Sequence, residues 1–407
     1  MLASRTRQQG HVSVFIIPVL AAILLLLLGA ISQSVKLQQR WHVQTAADNM
    51  AMSAAVLMAR EMNLQALINR ARISNQLLAA QLLGFRSWFA MTSKVVNKIA
   101  TVLRFVPALT QPMHALIRVI RQVDQAVEQM VKLGLIAQQS LDNVYTLTQV
   151  AIRASFGLLI PSTLTKIAQH HGLSEQAWQL LGGSGLTDFH PAWAIYLRPT
   201  SSNSDDGRLE QIMRASTDPF TEFRSYLWAD IPLIKVPKKG GAELRVDSRG
   251  KWHWQALDTV TLEVKGVANY SLGWGAATKG NRITHIGKED FGHSGGKGAK
   301  RRGDVHKKAL RTQRKLGNSV GPLRYIDRRD FAPSEWPAVI VRFAGAVAKA
   351  GVSFSRPSSL FPREDRIQEQ ANLFNPLWQA ELQSLTPQNK LILSQVNHVD
   401  AQSNSQN

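Results

Sequence analysis

The 407-residue chain has no cysteine, which excludes disulfide staples, thiol nucleophiles and thiolate metal sites. Proline is nearly missing from Gln44 to Ser155, where only Pro107 and Pro112 occur, and glycine is sparse there. Carboxylates are in deficit, 28 against 48 Lys and Arg, for a net charge of +20. Catalytic signatures are missing too. There is no HExxH, no GxSxG and no carboxylate pair whose placement the sequence implies, so no residue is nominated as nucleophile or general base. His170-His171, His285, His293 and His306 have no metal-ligand spacing, and the last three sit among cations that oppose another positive ion. Gly292 to Lys297 departs from a phosphate loop: three residues separate Gly292 from Gly296, and Gly298 replaces the hydroxyl. The chain reads as noncatalytic, with no cofactor and no metal.

What it does have is a charge-free run from Val12 to Ile31, long enough to cross a bilayer at about 1.5 Å per residue. Val12, Phe15, Ile16, Leu24 and Leu28 are its anchoring residues. Arg5 and Arg7 before the run, with Ala30-Ile31-Ser32 near its end, also fit a cleaved secretory signal. The length of the run and the apolar helix beyond it favour an uncleaved anchor. Arg5, Arg7 and the free amine slightly outweigh Lys36 and Arg40, placing the N-terminus inside, and long following domains cross largely regardless of charge. The membrane is therefore an expected partner.

From Gln44 to Ser155 the chain is rich in Ala, Leu, Gln, Met and Val, a helical composition. Val43, Ala47, Met50, Ala54, Leu57, Leu64, Ile68, Ala71, Leu78, Leu82, Phe85 and Phe89 follow alternating three- and four-residue steps, interrupted by Glu61 and Asn75. Beyond the Pro107 to Pro112 break, Leu116, Ile120, Val123, Val127, Met130, Gly134, Ala137, Leu141, Val144, Thr148 and Ala151 repeat them. This spacing predicts two helices of roughly 60 to 75 Å, folded back as an antiparallel pair with a weak seam, or paired with a partner or a second copy. Gln138 and Gln139 read as solvated surface.

From about Gly182 the texture turns β-like. The clearest hairpin runs from Ala242 to Asp258 around Asp247-Ser248-Arg249-Gly250. Further strands are expected at Thr259 to Val264, Val267 to Gly275, Ala338 to Ala344 and Gly351 to Ser355. Trp252, Trp254 and Asp258 share one strand face, which is either a core edge or, in the less favoured reading as a tethered hydrolase, the lining of a groove.

Lys279 to Lys315 carries twelve Lys and Arg against Glu289, Asp290 and Asp304, and reads as a disordered basic insertion. Its candidate anion-binding residues are Lys297, Lys300, Arg301, Arg302, Lys307, Lys308, Arg311, Arg314 and Lys315, suited to anionic lipid or an envelope polyanion. Phe291 is its single aromatic, so nucleic acid is not an expected partner.

The expected class is α+β: a single N-terminal transmembrane helix, a long antiparallel helical hairpin, and a β-rich C-terminal domain with a disordered basic insertion. The expected segments are a tail at 1–11, the span at 12–32, a helical region at 33–160, β-rich parts at 161–278 and 317–398, the insertion at 279–316, and a disordered tail at 399–407.

Arg7-Gln8-Gln9-Gly10, the apolar span and QTAADNMAMSAA at Gln44 to Ala55 occur in an order that resembles TadE/TadG-like proteins of tight-adherence (Flp) pilus assembly. Gln44, Ala46, Ala47, Asp48, Ala51, Ala54 and Ala55 match the family's small-residue helix. NLFNPLWQAEL at Asn372 to Leu382 resembles a second segment of some members. The resemblance implies a bacterial inner-membrane protein, single-pass with a periplasmic C-terminal domain, whose partners are other pilus or secretion assembly proteins. Phe15 stands where peptidase-processed members have glutamate, which counts against cleavage at Gly10. The DxSxS motif of members with a von Willebrand type A domain is missing. Small residues at Ala46 to Ala55 would let a neighbouring helix approach closely.

Overall fold

The computed structural model describes residues 10–103, 105–106, 110–174, 177–182, 195–200, 207–265, 268–282, 305–321, 323–328, 336–357, 360, 362–365, 367, 369–391 and 393–394, with side chains from residue 16 onward except at Ala268. Residues 1–9 of the expected tail and all of 399–407 lie outside them.

The class is α+β, with a long N-terminal apolar helix and a β-rich C-terminal region. Helix α1 (Gly10–Leu103) is one unbroken element of 94 residues, about 140 Å at 1.5 Å per residue. It joins what the sequence divides into a span and a first hairpin helix, because nothing between Ile31 and Leu103 stops a helix. Pro18 is its one internal proline. Helix α2 (Thr110–His170) has 61 residues. Pro112 falls in its first turn, where a missing N–H costs nothing. Pro161 lies inside α2 and does not end it, so the expected boundary at 160 moves to His170.

Three sheets follow. The first has order β1-β9-β10-β11 and is antiparallel throughout. Its strands are β1 (Trp178–Gly182), β9 (Ala338–Phe343), β10 (Ala346–Phe354) and β11 (Trp378–Gln383). A two-residue turn joins β9 to β10, with positive φ at both Ala344 (48°) and Gly345 (85°), the primed geometry that matches strand twist. A small second sheet pairs β2 (Leu197–Pro199) with β8 (Ile326–Arg328).

The third sheet has order β3-β4-β5-β6-β7: β3 (Arg224–Ile231), β4 (Ile234–Val246), β5 (Trp252–Val264), β6 (Ala268–Lys279) and β7 (Arg314–Gly317). The expected hairpin is β4–β5, with Val246 opposite Trp252. Asp247 closes it by accepting from the amides of Arg249 (2.9 Å) and Lys251 (3.0 Å). Two short helices, α3 (Arg208–Ala215) and α4 (Val305–Arg311), accompany the sheets, and residues 387–391 are helical as well.

The first sheet lies against the early part of α1, where Ala46 through Met62 share a core with Val339, Val341, Phe343, Val352 and Trp378. The third sheet lies further along, with Ala79, Ala80 and Leu83 against Trp252, Trp254 and Ala256. α4 covers the other face of that sheet through Ala309 and Leu310, packed with Leu257 and Ala276. Covering on both faces buries ten consecutive residues of β5, Trp252 to Thr261.

This revises the basic insertion. Lys279 ends β6, and Val305 onward forms α4 and then β7, which pairs parallel with β6. The stretch has enough apolar residues for order at this end because Val305, Ala309 and Leu310 fall on one helical face. Residues 283–304, including Lys297, Lys300, Arg301, Arg302, His285 and His293, lie outside the described residues.

Candidate functional site

The first stretch of α1 packs against nothing among the described residues. Ile16, Leu24 and Leu28 are 48%, 58% and 58% exposed, and large apolar side chains stay exposed through Leu37. The backbone at Val12 and Phe15 is helical, and their side chains lie outside the described residues. This stretch has the length and composition of a membrane span or of a signal sequence.

Exposure ends at the small-residue segment. Ala46, Ala47, Ala51, Ala54 and Ala55 are fully buried, against the chain's own first sheet. Gln44 donates to Asp48 Oδ1 (2.8 Å) and to the Val347 carbonyl (3.1 Å). Small side chains let α1 lie close on β10, so this face already has its partner within the chain.

The second family-like segment, Asn372 to Leu382, arrives at the same core, where Leu373 and Trp378 are buried. Asn63 on α1 bonds both backbone groups of Trp378, accepting from N (3.0 Å) and donating to O (2.9 Å). Asn69 donates to the carbonyls of Leu373 and Ile326, each at 2.8 Å. Two sequence segments more than 300 residues apart therefore form one interface.

Between α1 and α2, apolar packing of Ala80 and Leu83 with Val127, Val131 and Leu135 is joined by a row of polar pairs. Glu61 meets Arg153 (2.7 Å) and receives the Tyr196 hydroxyl. Gln65 donates to the Gln149 carbonyl (3.0 Å), and Gln149 to Asn69 Oδ1 (2.7 Å). Arg72 binds Asp142 (3.1 Å), Gln149 (2.9 Å) and the Arg324 carbonyl. Asn75 donates to the Gln138 carbonyl (2.8 Å), Lys279 to Gln138 Oε1, and Arg86 to Asp124 and Glu128, each at 3.0 Å. Partner numbers fall along α2 as they rise along α1.

Gln138, expected on solvated surface, is fully buried in this seam. Burial holds the Glu61 carboxyl above its ordinary range against the pull of Arg153, and raises Tyr196 well above 10. Burial lowers Lys279 to about 8. Each group meets a fixed partner, so the seam sets the register of the two helices.

The inner face of α2 carries Val127, Val131, Leu135, Ile160, Leu164 and Ala168 beside Gln138, Asp142 and Gln149, and a second apolar stripe faces out. Leu116, Val123, Met130, Ala137, Leu141, Val144, Thr148 and Ala151 of the expected seam are exposed, whereas Val127 is buried. One strict heptad series lies on the outer face: Leu116, Val119, Val123, Ala126, Met130, Leu133, Ala137, Ser140, Val144, Leu147, Ala151, Ala154 and Leu158. All thirteen are exposed.

A cationic cluster forms where α1, β6 and α4 meet. The ammonium groups of Lys94, Lys98 and Lys308 lie 4.9, 5.1 and 5.5 Å from the Trp274 ring centroid. Lys94 donates to the Trp274 carbonyl (2.8 Å) and Lys98 to that of Ser271. Burial, with Arg86 next, lowers Lys94 to about 8, and burial with Lys308 lowers Lys98. Of the candidate anion-binding residues, Lys308 joins this cluster; Lys307, Arg311, Arg314 and Lys315 are exposed nearby on α4 and β7.

Trp252, Trp254 and Asp258 line no groove: all three are buried beneath α1. Asp258 is held by Lys238 (2.5 Å), Arg224 (3.2 Å) and the Ser87 hydroxyl. No His or carboxylate group suited to a metal occurs among the described residues. Lys94, Lys98 and the seam were missed in the sequence, although Glu61, Gln65, Asn69, Arg72 and Gln76 form a visible polar stripe at helical spacing. No family model, curated protein or solved structure matches the chain.

Proposed function

We propose that this chain is a noncatalytic, membrane-anchored component of a tight-adherence pilus assembly apparatus or a related envelope secretion machine. It sits in a bacterial inner membrane with its N-terminus in the cytoplasm and its β-rich domain in the periplasm. The two long helices form an antiparallel hairpin that spaces and orients that domain. The observation that carries the reading is the continuity of α1, which leads from exposed apolar surface at Ile16 to Ile31 directly into the core at Ala46. Nothing flexible intervenes, so the anchor fixes the pose of the domain. The resemblance of Gln44 to Ala55 and Asn372 to Leu382 to TadE/TadG-like proteins supports the pilus assignment.

Three measurements test it. The chain should stay with membranes through alkaline carbonate washing, and periplasm-only reporters should be active when fused after Gln383. Deleting its gene should abolish surface pili. A freely soluble trimmed product, or unaltered piliation with no substituting paralogue, would refute the reading.

The cluster at Trp274 favours a second reading, a membrane-tethered polyanion binder. Each charge-assisted contact to a bound anion is worth about 1.5–3 kcal/mol, roughly tenfold or more in affinity. Detergent-solubilised full chain carrying Lys98→Gln and Lys308→Gln should therefore leave a heparin column at clearly lower salt. Raising the pH from 7 to 9 should also weaken retention of the natural chain, because Lys94 loses its charge near 8. Identical elution of variant and natural chain would dismiss this reading.

A further inference from the structure

The outward stripe of α2 is a built surface without an occupant among the described residues. Its thirteen positions alternate in three- and four-residue steps for six heptads without a skip, from Leu116 to Leu158, and all are exposed. Steps that average 3.5 residues are the pattern that keeps one helix against another along a left-handed supercoil. Scattered surface apolar residues have no such phase.

We propose that this face pairs with the same face of a second copy of the chain, the two α2 helices running parallel and in register. The inference rests on the membrane-anchored reading for its parallel sense. Anchors in one bilayer give all copies a common orientation and raise their effective concentration for one another.

Charge supports a second copy as the occupant. Taking Leu116 as the first a position, the a, d, e and g positions from Ala115 to Leu158 contain no ionisable residue, and the charged Glu128 and Lys132 fall outside them. No block of like charges opposes self-pairing, and no charge pattern selects a different partner. Ala137 with Ser140, and Ala151 with Ala154, leave room for the axes to approach at two levels.

Extent supports it as well. Six heptads span about 63 Å, and a helix face about 10 Å wide gives on the order of 600 Å² per copy. The total, about 1,200 Å², is the lower end of a standard-size interface.

Lipid is the poorer occupant. α2 begins far from the anchor and returns beside α1, ending where His42 Nε2 and the His171 carbonyl are 3.0 Å apart. Its stripe therefore extends away from the bilayer that α1 enters, for roughly twice the ~30 Å depth of a hydrocarbon core.

The lack of cysteine makes the test direct. Single cysteines are placed in the full chain at Val123, Val144 and Leu158, at Ala137, and at Arg118 and Gln125 on another face. Membranes are then oxidised with copper phenanthroline. Parallel pairing predicts disulfide dimers at Val123, Ala137, Val144 and Leu158, with little at Arg118 or Gln125. Dimers at Ala137 alone would mean antiparallel pairing, and equal yields on both faces would mean random collision; either overturns the proposal.

A second variant guards against misfolding. Leu133→Glu with Leu147→Glu alters exposed positions, so the melting temperature should hold while the Val144→Cys dimer falls at least tenfold. An undiminished dimer overturns the proposal. Carbonate washing of the same membranes separates the two readings. Dimers in a chain released by the wash refute the anchor and leave heptad pairing standing, whereas a retained chain without dimers refutes the pairing alone.

Discussion

Replacing Asp258 by alanine is expected to destabilise the fold by about 3–5 kcal/mol, the cost of leaving a buried charge without its counter-ion. Lys238 and Asp258 have fully buried side chains. The alanine variant strands the Lys238 ammonium inside the third sheet and removes the acceptor of both Arg224 and Ser87. The Ser87 contact ties α1 to β5, so the helix loosens as well. Urea unfolding followed by circular dichroism measures the loss. Pairing Asp258→Leu with Lys238→Met should recover most of it, because apolar isosteres of a buried ion pair are often neutral or better. A loss under about 1 kcal/mol for the single variant, within the range of an exposed pair, would show that the site is wetter than its burial implies.

Gly275→Ala should be comparably severe. A Cβ at Gly275 would stand 1.9 Å from the Ser87 carbonyl and 2.8 Å from the Met91 amide, both helix backbone. Gly273 is similarly crowded, 2.6 Å from the Met91 carbonyl. α1 crosses β6 at a distance only glycine permits, and no rotamer change relieves a clash with backbone. The expected cost is ~3 kcal/mol, the upper end of ordinary overpacking, with a shared loss of the Ser87 to Asp258 contact. Gly157→Ala provides the contrast. It sits in α2 with nothing within 4 Å of its would-be Cβ, so alanine should stabilise by about 0.5–1 kcal/mol. Equal behaviour of the two variants in thermal melts would contradict the close crossing.

The parts of the fold legible in the sequence are those set by neighbours in the chain. Alanine-rich composition marked α1 and α2, and alternation around Asp247 marked the β4–β5 hairpin. β1 and β11 escaped notice because their partners, β9 and β10, are supplied from distant sequence. The stripe of α1 faces the core from Ala47 to Leu57, as its spacing predicts, whereas most of the α2 stripe faces outward. Periodicity identifies two faces of a helix and cannot say which one meets the protein. Here Arg72 and Asp142, 70 residues apart, help fix the inner face of α2 as the one that carries Gln138, Asp142 and Gln149 together with Val127, Val131 and Leu135. Drift adds to this. A 3.5-residue repeat rotates about 20° per heptad around a straight helix, so Ala47 lies under the first sheet while Leu78, on the same series, is exposed.

The order of the strands also governs when the molecule can mature. α1 emerges from the ribosome before the strands, yet the first sheet that shields Ala46 to Ala55 is finished only by β11, more than 300 residues later. At about 5–20 residues per second, that helix waits on the order of tens of seconds with its greasy side bare. A nascent chain of this design is expected to need holdase protection during translation, and truncation before Trp378 should leave a product cleared by proteolysis.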